Sequence, residues 1–131
     1  MSGISDRSGH EAVIIQLLEE YKQNREALKE LLTNLESIQA EVGSIFPEKI
    51  DKRFRYLFEE KIKTATAFFN SLLDIRKEIS RSLKDEMDLR RKLSGGGAGD
   101  LADLLDIGAL AERVERAQKE QDRITAGSNK N

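Results

Sequence analysis

Apolar residues recur at every seventh position along two stretches of the chain. In the first, Ile14, Tyr21, Leu28, Leu35 and Val42 fall seven apart, with Leu17, Leu31 and Ile38 between them. In the second, Phe58, Ala65, Leu72 and Ile79 do the same, interleaved with Phe54, Ile62, Phe69 and Leu83. A heptad spacing marks one face of a long helix that packs against another helix. The two stretches flank Pro47, the single proline, and so predict two helices folded back on each other. The expected fold is all-α: a long antiparallel, coiled-coil-like helical hairpin with a third C-terminal helix. Such a chain closes either as a three-helix bundle or as an oligomeric helical bundle.

Local signals set the expected boundaries. Residues 1–7 are short and polar and read as a flexible N-terminus. Ser8 and Glu11 have the spacing of a capping box, in which the hydroxyl and the carboxylate each accept from a backbone N–H of the first turn. The first helix is then expected from Ser8 to Val42, with Gly43 supplying a left-handed residue that ends it. Pro47 suits the first turn of the next helix, where its missing N–H has no intrahelical partner. That helix is expected to run to Leu93, completing a hairpin over 8–93 and overhanging the first helix from Asp85 to Leu93. Residues 94–99, Ser-Gly-Gly-Gly-Ala-Gly, read as a glycine linker. An amphipathic C-terminal helix follows over 100–125, with an interruption near Asp106-Ile107-Gly108, and 126–131 read as a disordered tail. The apolar positions of this third helix include Leu101, Leu104, Leu105, Leu110, Val114, Ala117 and Ile124.

The apolar faces are wider than a two-stranded seam requires. At 100° per residue, Leu57, Phe68, Ile75 and Leu93 lie along one margin of the second helix, and Ile62 and Phe69 lie roughly 120–140° away. The first helix doubles its columns at Leu17-Leu18 and Leu31-Leu32. A third layer is therefore needed, from the C-terminal helix or from another copy of the hairpin. Self-association is the favoured expectation, because the glycine run leaves the C-terminal helix loosely tethered.

Composition narrows the class without naming an activity. Charged residues make up 35% of the 131, against 5% aromatic, one proline and no tryptophan, which suits long helices rather than sheets. The absence of cysteine removes disulfides, thiolate metal sites and thiol nucleophiles together. Charge sorts by helix: residues 8–42 carry a net −4 and residues 48–93 a net +4, within a chain of net −2. Opposite fields favour pairing of one helix with the other. No apolar run reaches the ~18 residues of a membrane span, and the first residues lack the pattern of a signal peptide. We expect a cytoplasmic protein with no membrane partner.

Candidate chemistry is sparse. His10 is the only histidine and has neither a nucleophile nor an orienting acid beside it in sequence, so it reads as a surface residue. The pairs Glu19-Glu20 and Glu59-Glu60 are adjacent on a helix and point about 100° apart, too divergent to share a metal or a proton. The glycine run from Gly95 to Gly99 lacks the Lys-Ser/Thr of a phosphate loop. Tyr21 and Asn24 fall on the seam of the first helix, where a polar residue specifies register. No catalytic residue, metal site or cofactor is expected.

The remaining signals concern partners. A broad apolar face formed by Leu57, Phe58, Phe68, Phe69, Leu72 and Ile75 can bury the amphipathic helix of a protein partner. Leu101, Leu104, Leu105 and Leu110 make the C-terminal segment a docking helix, either a permanent member of the bundle or a removable cover. A basic stripe, with Lys49, Lys52, Tyr56 and Lys63 on its outer side and Arg90 and Arg91 further on, supplies the alternative of nucleic-acid binding. Arg53, Arg55 and Lys61 lie within the same run, and Glu59 and Glu60 interrupt it. The expected function is a non-enzymatic protein–protein interaction module, such as an adaptor, a scaffold subunit or a small helical chaperone, acting as a homo-oligomer.

Overall fold

The computed structural model describes residues 2–84 and 98–129, with side chains from Glu11 to Lys84 and from Leu101 to Ala126. Every regular element among them is helical. Helix α1 spans Ser2–Val42, a 3-10 turn spans Pro47–Lys49, and α2 spans Lys52–Leu83. Two further helices follow, α3 at Ala98–Leu105 and α4 at Gly108–Asn129.

The chain divides into two compact units. Unit 1 comprises residues 1–25 and 70–107, and unit 2 comprises 26–69 and 108–131. Both α1 and α2 contribute to each, with α3 belonging to the first and α4 to the second.

The heptads become the core. Ile14, Tyr21, Leu28, Leu35 and Val42 of α1 are all buried, as are Phe58, Ala65, Leu72 and Ile79 of α2. Helix α4 repeats the spacing with Leu110, Ala117 and Ile124, and adds Val114. On α1 the positions flanking this line are covered on both sides. Leu17, Leu31 and Ile38 are half-buried on one flank, while Leu18 and Leu32 are buried on the other. A helix covered on both flanks touches two neighbours.

In unit 2 those neighbours are visible in the polar contacts at the edges of the core. Arg113 of α4 reaches Glu36 and Thr33 of α1, and Gln118 of α4 donates to Thr66 of α2 at 3.3 Å. Helix α4 also packs on the 3-10 turn. Three helices thus pack together, and the third layer comes from the same chain.

The connection between α1 and α2 differs from the sequence expectation. Gly43 follows α1 without a left-handed φ; a Cβ there would lie 3.0 Å from the Gln39 carbonyl oxygen. Glycine is suited to the site by close approach rather than by backbone handedness. Pro47 opens the 3-10 turn rather than a continuous helix, and Ile50 then adopts an extended backbone (φ −77°, ψ 129°). Extending Ile50 lets its side chain enter the core, where it is buried. Asp51 restarts the helix: its Oδ1 accepts the Arg53 N–H at 2.7 Å, and its carbonyl accepts the Arg55 N–H at 3.0 Å. This is an N-cap, which satisfies donors that the first turn leaves without partners.

Other boundaries also move. Helix α1 runs through Ser8 and Gly9 back to Ser2, so Ser8 does not cap it. Extending a packed helix adds one hydrogen bond per residue fixed, and a glycine costs only about 1 kcal/mol. Residues 2–7 of the expected flexible terminus are helical. Ala98 and Gly99 belong to α3 rather than to a linker, and the interruption falls at Asp106-Ile107 as the sequence suggests. Helix α4 continues past residue 125 to Asn129, its late turns anchored by buried Ile124. The expected overhang Asp85–Leu93 and residues 94–97 lie outside the described residues.

Two substitutions test this construction by chemical denaturation followed by helical circular dichroism. Leu28→Ala, at a fully buried position, is expected to cost about 2–5 kcal/mol. Asp51→Ala is expected to cost about 0.5–2 kcal/mol through the lost cap.

Candidate functional site

The sequence-nominated apolar face of α2 is divided between the interior and the surface. Phe58 and Leu72 are buried within the chain's own core and are not offered to a partner, a correction to the six-residue face. Their heptad column points inward, where the other helices already cover it. Phe68, Phe69 and Ile75 are half-buried. Leu57 alone of the six is an exposed large hydrophobic residue, at 52%.

The largest apolar exposure of unit 2 gathers around the α1–α2 connection. Phe46 is 66% exposed, Tyr56 61%, Leu57 52% and Ile45 40%. Their positions follow from the local structure. Ile45 and Phe46 sit where the chain has left α1, with the Ile45 N–H bonded to the Val42 carbonyl at 3.0 Å and Phe46 capping the 3-10 turn in extended conformation. Tyr56 and Leu57 fall on the part of α2 turned from its core, because Phe54 and Phe58 stack inward at a centroid distance of 6.1 Å while Phe58 is buried. Sequence reasoning placed Tyr56 and Leu57 but missed Ile45 and Phe46, which lie in a connection with no helical period. The signal available was two consecutive large apolar residues immediately before a proline.

Charge surrounds this cluster unevenly. Lys49, Lys52 and Tyr56 of the candidate basic stripe are exposed. Lys63 is engaged by its own helix, 3.7 Å from Glu59 and 3.5 Å from Glu60. Lys61 and Arg55 are half-buried, and the buried Nε of Arg55 has no hydrogen-bond partner. Arg90 and Arg91 lie outside the described residues. Among the described residues, Lys49, Lys52 and Arg53 stand exposed near the connection.

Three polar clusters lie away from it. In unit 2, Arg113 donates two parallel bonds to Glu36, Nε to Oε2 and Nη2 to Oε1, each at 2.7 Å, and a third to Thr33 at 3.3 Å. This fork geometry is the strong form of an ion pair. The Arg113 guanidinium beside Glu36 holds that carboxyl below the usual carboxylate range, against a smaller opposing effect of burial. One further pair, Arg123 with Glu120, takes Gln39 as a third member, its amide donating to Glu120 at 3.4 Å. In unit 1, Tyr21 is fully buried and its hydroxyl has no hydrogen-bond partner. Burial pushes this phenol up, Arg25 and Arg76 pull it down, and Asp106 pushes it up again. Asn24, expected to fix register across the seam, instead donates to the Glu20 carbonyl of its own helix at 2.9 Å.

Helix α3 lies in the same unit as Tyr21. Of the expected docking residues, Leu101 of α3 is buried and Leu104 and Leu105 are half-buried, while Leu110 is buried on α4 in unit 2. Among the described residues, no three His, Cys, Asp or Glu side chains are placed to hold a metal ion. The side chain of His10 lies outside those described, and no helix among them is long and apolar enough to cross a membrane. The chain matches no protein-family model, no curated protein and no solved structure.

Two outcomes check these clusters. Glu36→Gln is expected to lower stability at neutral pH by about 1 kcal/mol or less, since the pair is partly exposed. Because the folded carboxyl is shifted down, the ion pair's contribution is complete above about pH 5 and is lost as pH falls through the lowered folded value. Denaturation curves of wild type and variant should therefore converge in acid. Tyr21→Phe is expected to be neutral or stabilising, because it removes a buried hydroxyl with no partner; a loss above about 1 kcal/mol would contradict that placement.

Proposed function

We propose that this protein is a non-enzymatic protein–protein interaction module, an adaptor or scaffold type built on an antiparallel α1–α2 hairpin. It engages a partner through the exposed apolar side chains around the α1–α2 connection. One observation carries this reading: Ile45, Phe46, Tyr56 and Leu57, all in unit 2, remain 40–66% exposed while the rest of that unit's large apolar residues are buried or half-buried. Apolar side chains gathered on an otherwise polar surface mark interaction sites. Aromatic anchors at the centre of an interface carry much of its energy, and truncating one costs about 2 kcal/mol or more.

Lys49 and Lys52 beside the cluster favour a partner with an acidic rim, and their contribution falls mainly on the association rate. Half-buried Phe68, on the margin of α2 that also carries Leu57, extends the apolar area within unit 2. In this reading α4 closes the core, so self-association of copies proceeds through the exposed side chains and not through an incomplete bundle. The exposure of Lys49, Lys52 and Tyr56 favours nucleic-acid binding as the second reading.

Site-specific photo-crosslinking distinguishes the two. A photoreactive phenylalanine analogue at Phe46 or Leu57 is expected to capture one defined protein in cells, and the same analogue at exposed Gln23 is expected to capture none. Capture shared equally by all three positions would contradict the proposal. Capture of nucleic acid from Tyr56, with an affinity that falls steeply with salt, would establish the second reading in its place.

A further inference from the structure

Within unit 2, α4 covers one side of α1 and α2 and leaves the other side open. It touches α1 at Glu36 and Gln39 and α2 at Thr66. Around α1, Leu32, Glu36 and Gln39 lie to that side of the Leu35 line, and Leu31, Ile38 and Glu41 lie roughly 40–120° to the other. Around α2, Ile62 and Thr66 lie on the α4 side of Phe58, and Lys61, Phe68 and Leu57 lie roughly 60–100° to the other. Burial follows the same division. Leu32 is 0% and Ile62 4% exposed, whereas Leu57 is 52% exposed and Leu31, Ile38 and Phe68 are half-buried. The open side is an apolar strip along both helices.

The two edges of this strip carry opposite charge. Beyond Leu31 and Ile38, α1 presents exposed Glu30 and Glu41. Beside Leu57 and Phe68, α2 presents exposed Arg53 and half-buried Lys61. The opposing charges nearby are engaged elsewhere: Glu60 lies 3.5 Å from Lys63, and Lys29 lies 3.8 Å from Glu26. An acidic edge beside a basic edge is complementary to itself. Two copies related by a two-fold axis parallel to the helices set the acidic edge of each on the basic edge of the other, with the apolar strips between them. A two-fold axis across the helices would set like charges together, so the charges select one arrangement.

We propose that this strip is the contact of a homodimer in which α1 of each copy lies on α2 of the other. The proposal rests on the antiparallel hairpin and the interaction role given above, and it names a second copy as the occupant at Leu57. Heights along the helices fit it. Gln39 and Thr66 reach α4 at Glu120 and Gln118, two residues apart, so they stand at nearly the same level. Glu41 lies two residues nearer the connection than Gln39, and Lys61 five nearer than Thr66. At about 1.5 Å per residue the two are within about 5 Å of one level. An axis parallel to the helices preserves level, so Glu41 of one copy faces Lys61 of the other, and Phe68 faces Ile38.

Sedimentation velocity of the full chain over a concentration series tests this. Wild type is expected to form a dimer, and Glu41→Lys or Lys61→Glu alone to weaken it roughly tenfold or more. Mixing the two variants is expected to restore dimerisation, because every pair between unlike copies is then opposite in charge. Pairing of Glu41 with Lys61 inside one chain cannot produce that restoration. A monomeric wild type, or a mixture no more associated than its components, overturns the proposal. Should either variant lose its helical circular dichroism, cysteines decide instead, since the chain has none of its own. A mixture of Glu41→Cys and Lys61→Cys chains is expected to oxidise to the mixed disulfide in preference to either self-disulfide, and no preference ends the idea. A monomeric wild type whose Phe46 still captures a different protein would end this proposal and leave the reading of the connection standing. Restored dimerisation with no other protein captured at Phe46 would support the dimer and withdraw the adaptor role.

Discussion

The apolar face of α1 is too wide for one neighbour, and the other features of the fold answer that constraint. Its central line, Ile14 to Val42, is buried at every heptad, and the residues three and four positions on are shielded as well. A single facing helix covers only one of those flanks. In unit 2 the second flank is covered by α4, and the rim of that contact is where the fold spends its best polar geometry. Arg113 forks onto Glu36, Gln118 reaches Thr66, and Gln39 reaches Glu120. These bonds are too exposed to hold the core together, but they select one register of α4 against its neighbours. Burial supplies the free energy and the rim supplies the specificity.

The same constraint separates surfaces that are spent from surfaces that remain. Phe58 in unit 2 and Leu72 in unit 1 are each buried in the core of their own unit. What remains in unit 2 is the connection, where Ile50 turns inward and Phe46 outward. That division is a consequence of the extended backbone at Ile50 and the cap at Asp51. A continuous helix from Pro47 would have placed the intervening side chains differently. Unit 1 includes the two-turn helix α3 with Leu101 buried, and the buried Tyr21 hydroxyl of the same unit has no hydrogen-bond partner.

Much of this was legible in the residues themselves. The heptads located the buried line of α1 and α2 position by position, because burial of one helical face requires that spacing. The doubled columns at Leu17-Leu18 and Leu31-Leu32 announced a third layer, although not which chain would supply it: a wide face states how much must be covered and says nothing of the cover's origin. The interruption at Asp106-Ile107 was signalled by an acidic residue and a glycine flanking one apolar residue. The restart at Asp51 was not found, because an unbroken helical reading of residues 47–58 also places apolar residues acceptably. Only the burial of Ile50 decides between the two. Phe46 escaped for a related reason: periodicity identifies residues that face a core, and an exposed residue in a turn has no period. Ion pairs such as Glu36–Arg113, 77 positions apart, depend on a register that no local pattern contains.

The fold stands on a third layer supplied by the same chain. The most direct measurement is an isotope-filtered methyl NOE spectrum on a co-refolded mixture of labelled and unlabelled protein. The account predicts that contacts from the Leu110, Val114 and Ile124 methyls of α4 to methyls of α1 and α2 appear within a labelled chain and vanish under the filter that selects contacts between chains. Their survival under that filter would contradict it, and would place another copy's helix where α4 is described.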